Sequence, residues 1–307
     1  GKEEKEAMHI VVESGWLTSG KVNDEFERSL SKFTGIRHVR TCNSGSSANL
    51  LALYALKKPK MEVLTPALTF GTTVAPIIQT GMTPVFFDVD LETYQIDVNA
   101  VEKYLKKTPR KERIFMIPAL MGNFPDIERL RRLSKKYKIF FILDSCDTNG
   151  SYWNKKPVGK FADLVTSSFY SSHIITTGGG GGIIMTNDEK IKKRLQILRG
   201  WGRASAMTAE SERIEDRFKY TIDNTPYDGK LVFTEIGFNM QVTELHGAFG
   251  VAQLKKLNKF ARDRKKNFKK ILQYFKKKPQ FILPKQYPQV NTPWQVFPVT
   301  LAPDCPF

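Results

Sequence analysis

A chain of 307 residues, 41% hydrophobic and 26% charged, can bury a large core and reads as one large domain with a smaller piece attached. No apolar run reaches the roughly 18 residues a membrane helix needs, and the start carries no signal-peptide pattern, so a cytoplasmic protein without membrane contact is expected. The net charge of +17 raises nucleic acid as a partner. The lysines alternate with apolar residues at helical spacing, as over 265–272, which reads instead as solvated outer helix faces. Cys42, Cys146 and Cys305 are far apart and odd in number, and suggest neither a disulfide framework nor a metal site.

Taken in chain order, amphipathic helices are predicted over 22–32, 46–56 and 127–137. Short β-branched or aromatic runs predict strands at 62–64, 84–87, 114–118, 139–143 and 164–167, and one at 182–185 turning back beside the loop before it. That alternation is the signature of an α/β protein with a mainly parallel sheet flanked by helices. After Leu254 a Lys-rich helix gives way to a segment with Pro279, Pro284, Pro288 and Pro293. The chain therefore divides into a large domain over 1–254 and an incomplete small C-terminal α/β domain over 255–307, ending in one strand-like piece at 294–301.

Three segments carry candidate chemistry. The polar run 43–49 leads straight into a helix. Backbone N–H groups at a helix start, with Gly45 permitting close approach and hydroxyls from Ser46 and Ser47, can cradle a phosphate, although such a run alone is more often a plain helix cap. Asp144 ends a buried strand, where ligands of such sheets bind, and a buried carboxylate calls for a cation or a helix cap. The run 167–182 joins a hydroxyl cluster, His173 and five consecutive glycines. Each glycine costs backbone entropy, so the run implies tight packing against a ligand or a mobile loop.

In this order the segments resemble the DegT/DnrJ/EryC1/StrS aminotransferases of fold type I. The blocks 14–20, 43–48, 66–70, 88–90, 143–147, 237–239 and 250–253 carry the likeness over nearly the whole chain. The resemblance implies pyridoxal 5′-phosphate or its pyridoxamine form as cofactor. Asp144 would partner the pyridine nitrogen, and Asp147 stands where the family usually has a glutamine near the ring hydroxyl. Gly45, Ser46 and Ser168 would bind phosphate, and Phe70 would stack on the ring. Asn239 would reach the phosphate of a neighbouring subunit, so a homodimer with shared sites is implied.

Five residues past Ser168, where most members carry the cofactor-linking lysine, this chain has His173. Imidazole cannot make that covalent link, but it is a competent general base near neutral pH. The exchange resembles the lysine-less subgroup typified by GDP-4-keto-6-deoxymannose 3-dehydratase. It implies removal of the C3 hydroxyl from a nucleotide-linked 4-keto-6-deoxyhexose, His173 taking a proton from the cofactor's C4′ carbon. Glutamate would serve as the amino donor. A related subtype carries a [2Fe–2S] cluster on four cysteines; the stretch 200–229 has none, so no cluster and no metal are expected. Two departures stand: Gly179 replaces a glutamate usual in the glycine loop, and Ile174 replaces a second histidine. An aminotransferase of unusual type, or a non-catalytic descendant, therefore stays open. The chain also starts inside the family pattern and ends before the small domain closes.

Overall fold

The computed structural model describes residues 1–58, 60–109, 111–207 and 214–305. Its centre is a seven-stranded sheet. Five of its strands are β1 (His38–Cys42), β2 (Glu62–Pro66), β3 (Thr83–Phe87), β4 (Arg113–Pro118) and β5 (Phe140–Asp144); the others are Leu164–Ser168 and Gly182–Thr186. In space the order is β1, Gly182–Thr186, Leu164–Ser168, β5, β4, β2, β3. Gly182–Thr186 runs antiparallel to both neighbours, and the other neighbouring pairs are parallel, as the sequence pattern predicts.

Side chains of a strand alternate between its faces, and here both faces are buried. Phe115, Ile117, Phe141 and Leu143 enter one core, packed with Phe26, Ile127, Leu130 and Leu257. Ile114, Met116 and Ile142 enter the other, packed with Leu51, Ile77, Leu195 and Leu198. Helices α2 (Lys21–Thr34), α3 (Gly45–Leu56), α4 (Gly71–Gln79), α5 (Val98–Lys107), α6 (Ile127–Tyr137), α7 (Glu189–Arg199) and a long helix, Glu244–Phe275, supply residues to these cores, while α1 (Lys2–Ser14) lies against the long helix. Asp97, Asp126 and Asp188 cap α5, α6 and α7 by accepting first-turn N–H groups. None of the described helices is long and apolar enough to cross a membrane.

The start of α2 is capped from a distance. Glu244, 3% exposed, accepts the backbone N–H groups of Gly20 (2.7 Å), Val22 (2.8 Å) and Asn23 (2.9 Å). A carboxylate at a helix start completes orphan donors and complements the helix dipole. Glu244→Ala is expected to cost about 3 kcal/mol and lower Tm by roughly 5–10 °C in a thermal melt. Glu244→Gln keeps one acceptor oxygen and should lose less than half of that.

The composition shift at residue 254 falls inside the helix Glu244–Phe275, which carries the chain from the sheet to the C-terminal segment. The strand predicted over 294–301 is confined to Thr300–Leu301, paired with Phe281–Ile282. Trp294 has a left-handed backbone (φ 53°), and Pro293 and Pro298 carry no N–H for a ladder. Val290–Asn291 instead pairs with Tyr152–Trp153, returning the chain to the sheet-bearing part.

Candidate functional site

The carboxyl ends of the parallel strands face an open cavity of about 410 Å³. Gly45, Ser46, Phe70, Asp144, Asp147, Ser168 and His173 all line it, so seven residues picked out from sequence converge on one place. Asn239 does not. It is exposed, and its backbone pairs with Gly200 beside the strand-end turns.

The cradle is built by two close approaches. Helix α3 begins at Gly45, earlier than the predicted 46, and its cap Ser44 accepts the N–H of Ser47 at 3.0 Å. The N–H groups of Gly45 and Ser46 sit in that first turn, where the helix itself offers no acceptor. A Cβ on Gly45 would lie 2.6 Å from the Cβ of Ser168 and 3.0 Å from Cys146 Sγ. A Cβ on Gly182 would lie 2.3 Å from the Ser44 carbonyl oxygen. Gly182 therefore packs against the chain's own turn at Ser44, and Gly181 against Thr177. Gly178, Gly179 and Gly181 also take left-handed φ values of 86°, 105° and 107°, which explains why these positions lack side chains.

Asp144, 6% exposed, accepts from Asn49 Nδ2 (2.8 Å) and Thr73 Oγ1 (3.0 Å) on one oxygen. Its other oxygen accepts the N–H of Cys146 at 3.2 Å. Thr166 donates its hydroxyl to Asn49 Oδ1 at 2.6 Å, which turns the amide NH₂ toward Asp144. The carboxylate is thus fixed by neutral donors at the cavity wall. Asn49, Thr73 and Thr166 received no role from sequence. Asn49 left a trace there: it is a lone amide in an otherwise apolar helix, one turn beyond Gly45, and a buried amide needs partners.

His173 stands on the loop after the strand Leu164–Ser168, its N–H bonded to the Tyr170 carbonyl at 3.0 Å. Its Nε2 lies 3.5 Å from Asp147 Oδ1, and its Nδ1 is buried without a protein partner. Asp147 Oδ2 accepts the N–H of Met121 at 2.9 Å. Phe70, 71% exposed, precedes α4 and lines the mouth of the cavity. Burial, followed by the neighbouring carboxylates of Asp144 and Asp147, pushes the Cys146 thiol well up; burial lifts Cys42 to about 12. Both thiols should stay protonated and resist alkylation at pH 8. A thiol titration of the folded protein should find Cys305 reacting promptly and the other two only on unfolding.

First-turn N–H groups at a helix start can hold an anion, the fixed carboxylate of Asp144 can accept an N–H, and Phe70 offers an exposed aromatic face on the same cavity. Among the described residues no cluster of His, Cys, Asp and Glu could hold a metal ion.

Comparison with known proteins points the same way. The model of the DegT/DnrJ/EryC1/StrS aminotransferase family matches residues 1–305. The chain is 38% identical to lipopolysaccharide biosynthesis protein RfbH of Salmonella typhimurium, over 96% of this chain and 70% of that protein. It is 33% identical to a dTDP-4-dehydro-2,6-dideoxy-D-glucose 3-dehydratase of Saccharopolyspora spinosa, over 95% of this chain and 65% of that one. It is 31% identical to a GDP-4-keto-6-deoxy-D-mannose 3-dehydratase of Escherichia coli, over 90% and 71%. The chain thus spans about two thirds of the length of these relatives. Two structures of GDP-4-keto-6-deoxymannose-3-dehydratase superpose with a TM-score of 0.88 at 27% identity, covering 100% of this chain and 78% of theirs. One, from E. coli, holds hydrated PLP and the other a trapped PLP–glutamate geminal diamine. The architecture is that of a fold type I aminotransferase.

Proposed function

This chain belongs to the DegT/DnrJ/EryC1/StrS aminotransferase family, and from that premise we propose that it is a pyridoxamine phosphate-dependent 3-dehydratase of a nucleotide-linked 4-keto-6-deoxyhexose. The observation that carries this reading is His173, an imidazole lining the same cavity as a helix-start anion cradle and a fixed buried carboxylate. Two of the relatives above bear 3-dehydratase names, on sugars linked to different nucleotides. The nucleotide is therefore left open.

When bound, the pyridine ring supplies an electron sink for a carbon that loses a proton. The chain does the rest. The first-turn N–H groups of Gly45 and Ser46, with the Ser168 hydroxyl, bind the phosphate, and Asp144 balances the charge on the ring nitrogen. Phe70 covers a ring face, and Asp147 stands near the ring hydroxyl. His173 holds and returns the proton that dehydration exchanges, while lacking the primary amine that would bind the cofactor covalently. The stretch 200–229 holds no cysteine, which supports a reaction without an iron–sulfur cluster, glutamate restoring the amino form. The exposed Asn239 supports a homodimer in which it reaches the partner's phosphate.

An amino-sugar-forming enzyme is the second reading. Gly179 and Ile174 favour it, because both depart from the dehydratase pattern. Product analysis separates the two. Purified protein with pyridoxamine phosphate and a nucleotide 4-keto-6-deoxyhexose should yield a 3-deoxy sugar lighter by one oxygen atom, seen by mass spectrometry, with ammonia released and the cofactor converted to its pyridoxal form. Cofactor absorbance should disappear on dialysis, and borohydride should trap no lysyl adduct. Accumulation of an amino sugar would overturn the assignment.

A further inference from the structure

His173 has a carboxylate neighbour, Asp147, which the resemblance sets only near the ring hydroxyl, and a brace, Gln295, to which it gives no role. We propose that Asp147 is the positioning residue that sets the orientation and tautomer of His173, and that Gln295 holds both in register from the C-terminal segment. This rests on the reading of His173 as the proton-transfer group.

The geometry begins at the ring. His173 Nε2 and Asp147 Oδ1 are 3.5 Å apart, the loose approach of active-site pairs that tighten once a ligand is bound. A carboxylate oxygen that tightens onto Nε2 favours a proton on that nitrogen. The Nε2–H tautomer leaves its lone pair on Nδ1, the atom that is buried and meets no partner in the protein. The Tyr170 ring stands edge-on to the imidazole at 6.3 Å between centroids and limits its rotation.

Asp147 is itself fixed. Its Oδ2 accepts from the N–H of Met121, a residue held in a left-handed turn with φ 61°. The Met121 carbonyl accepts the backbone N–H of Gln295 at 3.0 Å, while Gln295 Nε2 donates to the Ser172 carbonyl at 2.5 Å. Gln295 therefore ties the turn that holds Asp147 to the residue just before His173. The brace is anchored in turn. Arg264 donates to the carbonyls of Trp294 and Gln295, and the Trp294 ring stacks on Phe268 at 4.3 Å. Gly122 is required beneath it, since a Cβ there would lie 2.4 Å from the Gln295 nitrogen. Gln295 thus commits both its backbone and its side-chain donors to Met121 and Ser172 rather than to a strand.

The test is nitrogen NMR of histidine-labelled protein without cofactor, the four histidines being assigned by loss of one signal in His173→Asn. Wild type should show His173 mainly as the Nε2–H tautomer. Asp147→Asn keeps an acceptor and should preserve that form. Asp147→Leu removes it and should shift the ratio several-fold toward the other tautomer. Gln295→Ala should broaden the signal and partly mix the two forms. In turnover, Asp147→Leu should lower kcat about 10-fold or more with KM for the nucleotide sugar within about twofold. A wild-type ring in the Nδ1–H form, or an unchanged ratio in Asp147→Leu, overturns the proposal; the wild-type spectrum decides even if that variant does not fold. Full dehydration activity in His173→Asn would instead sink the reading of His173 as the proton-transfer group and leave the tautomer result standing.

Discussion

His173→Asn is expected to lower the dehydration rate by about 10²- to 10⁴-fold, the usual contribution of one positioned acid–base group. Asparagine keeps a similar reach and polarity but cannot take a proton. The side chain it replaces is 16% exposed and sits on a loop, so the melting temperature should move little. Binding of pyridoxamine phosphate should also persist, because the cradle and Asp144 do not depend on the imidazole. The pairing of near-normal cofactor titration with lost turnover distinguishes a chemical role from a structural one. His173→Lys supplies the opposite control. It should acquire a cofactor band that survives dialysis and is trapped by borohydride.

Much of this site was legible before the fold was known, because residues that line the cavity sit where local rules are strict. A serine-rich cap directly before a helix, an aspartate ending an apolar strand, and a histidine beside a glycine run are each weak alone. Their order along the chain made them specific. The strands of the sheet were legible for a similar reason: buried on both faces, they appear as short, continuous apolar runs.

What was not legible depends on contacts between distant segments. Glu244 caps α2 across 221–224 residues of chain, and no periodicity announces such a partner. Asn49, Thr73 and Thr166 aim Asp144 from three different elements. Gln295 lies in a stretch that reads as a strand by composition, yet its bonds go to Met121 and Ser172. The glycine run was legible as constrained, but the close approaches of Gly181 to Thr177 and Gly182 to Ser44 were not. In each case tertiary packing overrides the local preference.

Asp144→Asn should separate binding from stability most sharply. Asp144 Oδ2 accepts from Asn49 and Thr73, bonds that an amide oxygen can also accept. The second oxygen becomes an NH₂ group, which meets the N–H of Cys146 and, on the cofactor side, a ring N–H: donor faces donor. Losing a charge-assisted bond of about 1.5–3 kcal/mol should raise the Kd of pyridoxamine phosphate roughly 10- to 100-fold. Without cofactor the balance reverses. A buried carboxylate held only by neutral donors is a poor contributor to stability, and neutralising it offsets the mismatched donor. Melting of the cofactor-free variant should therefore stay within about 3 °C of wild type, while the rise in Tm that saturating cofactor gives the wild type should largely vanish. If cofactor stabilises wild type and variant equally, Asp144 is not the ring's partner, and the carboxylate serves only to join α3, α4 and β5 at the cavity wall.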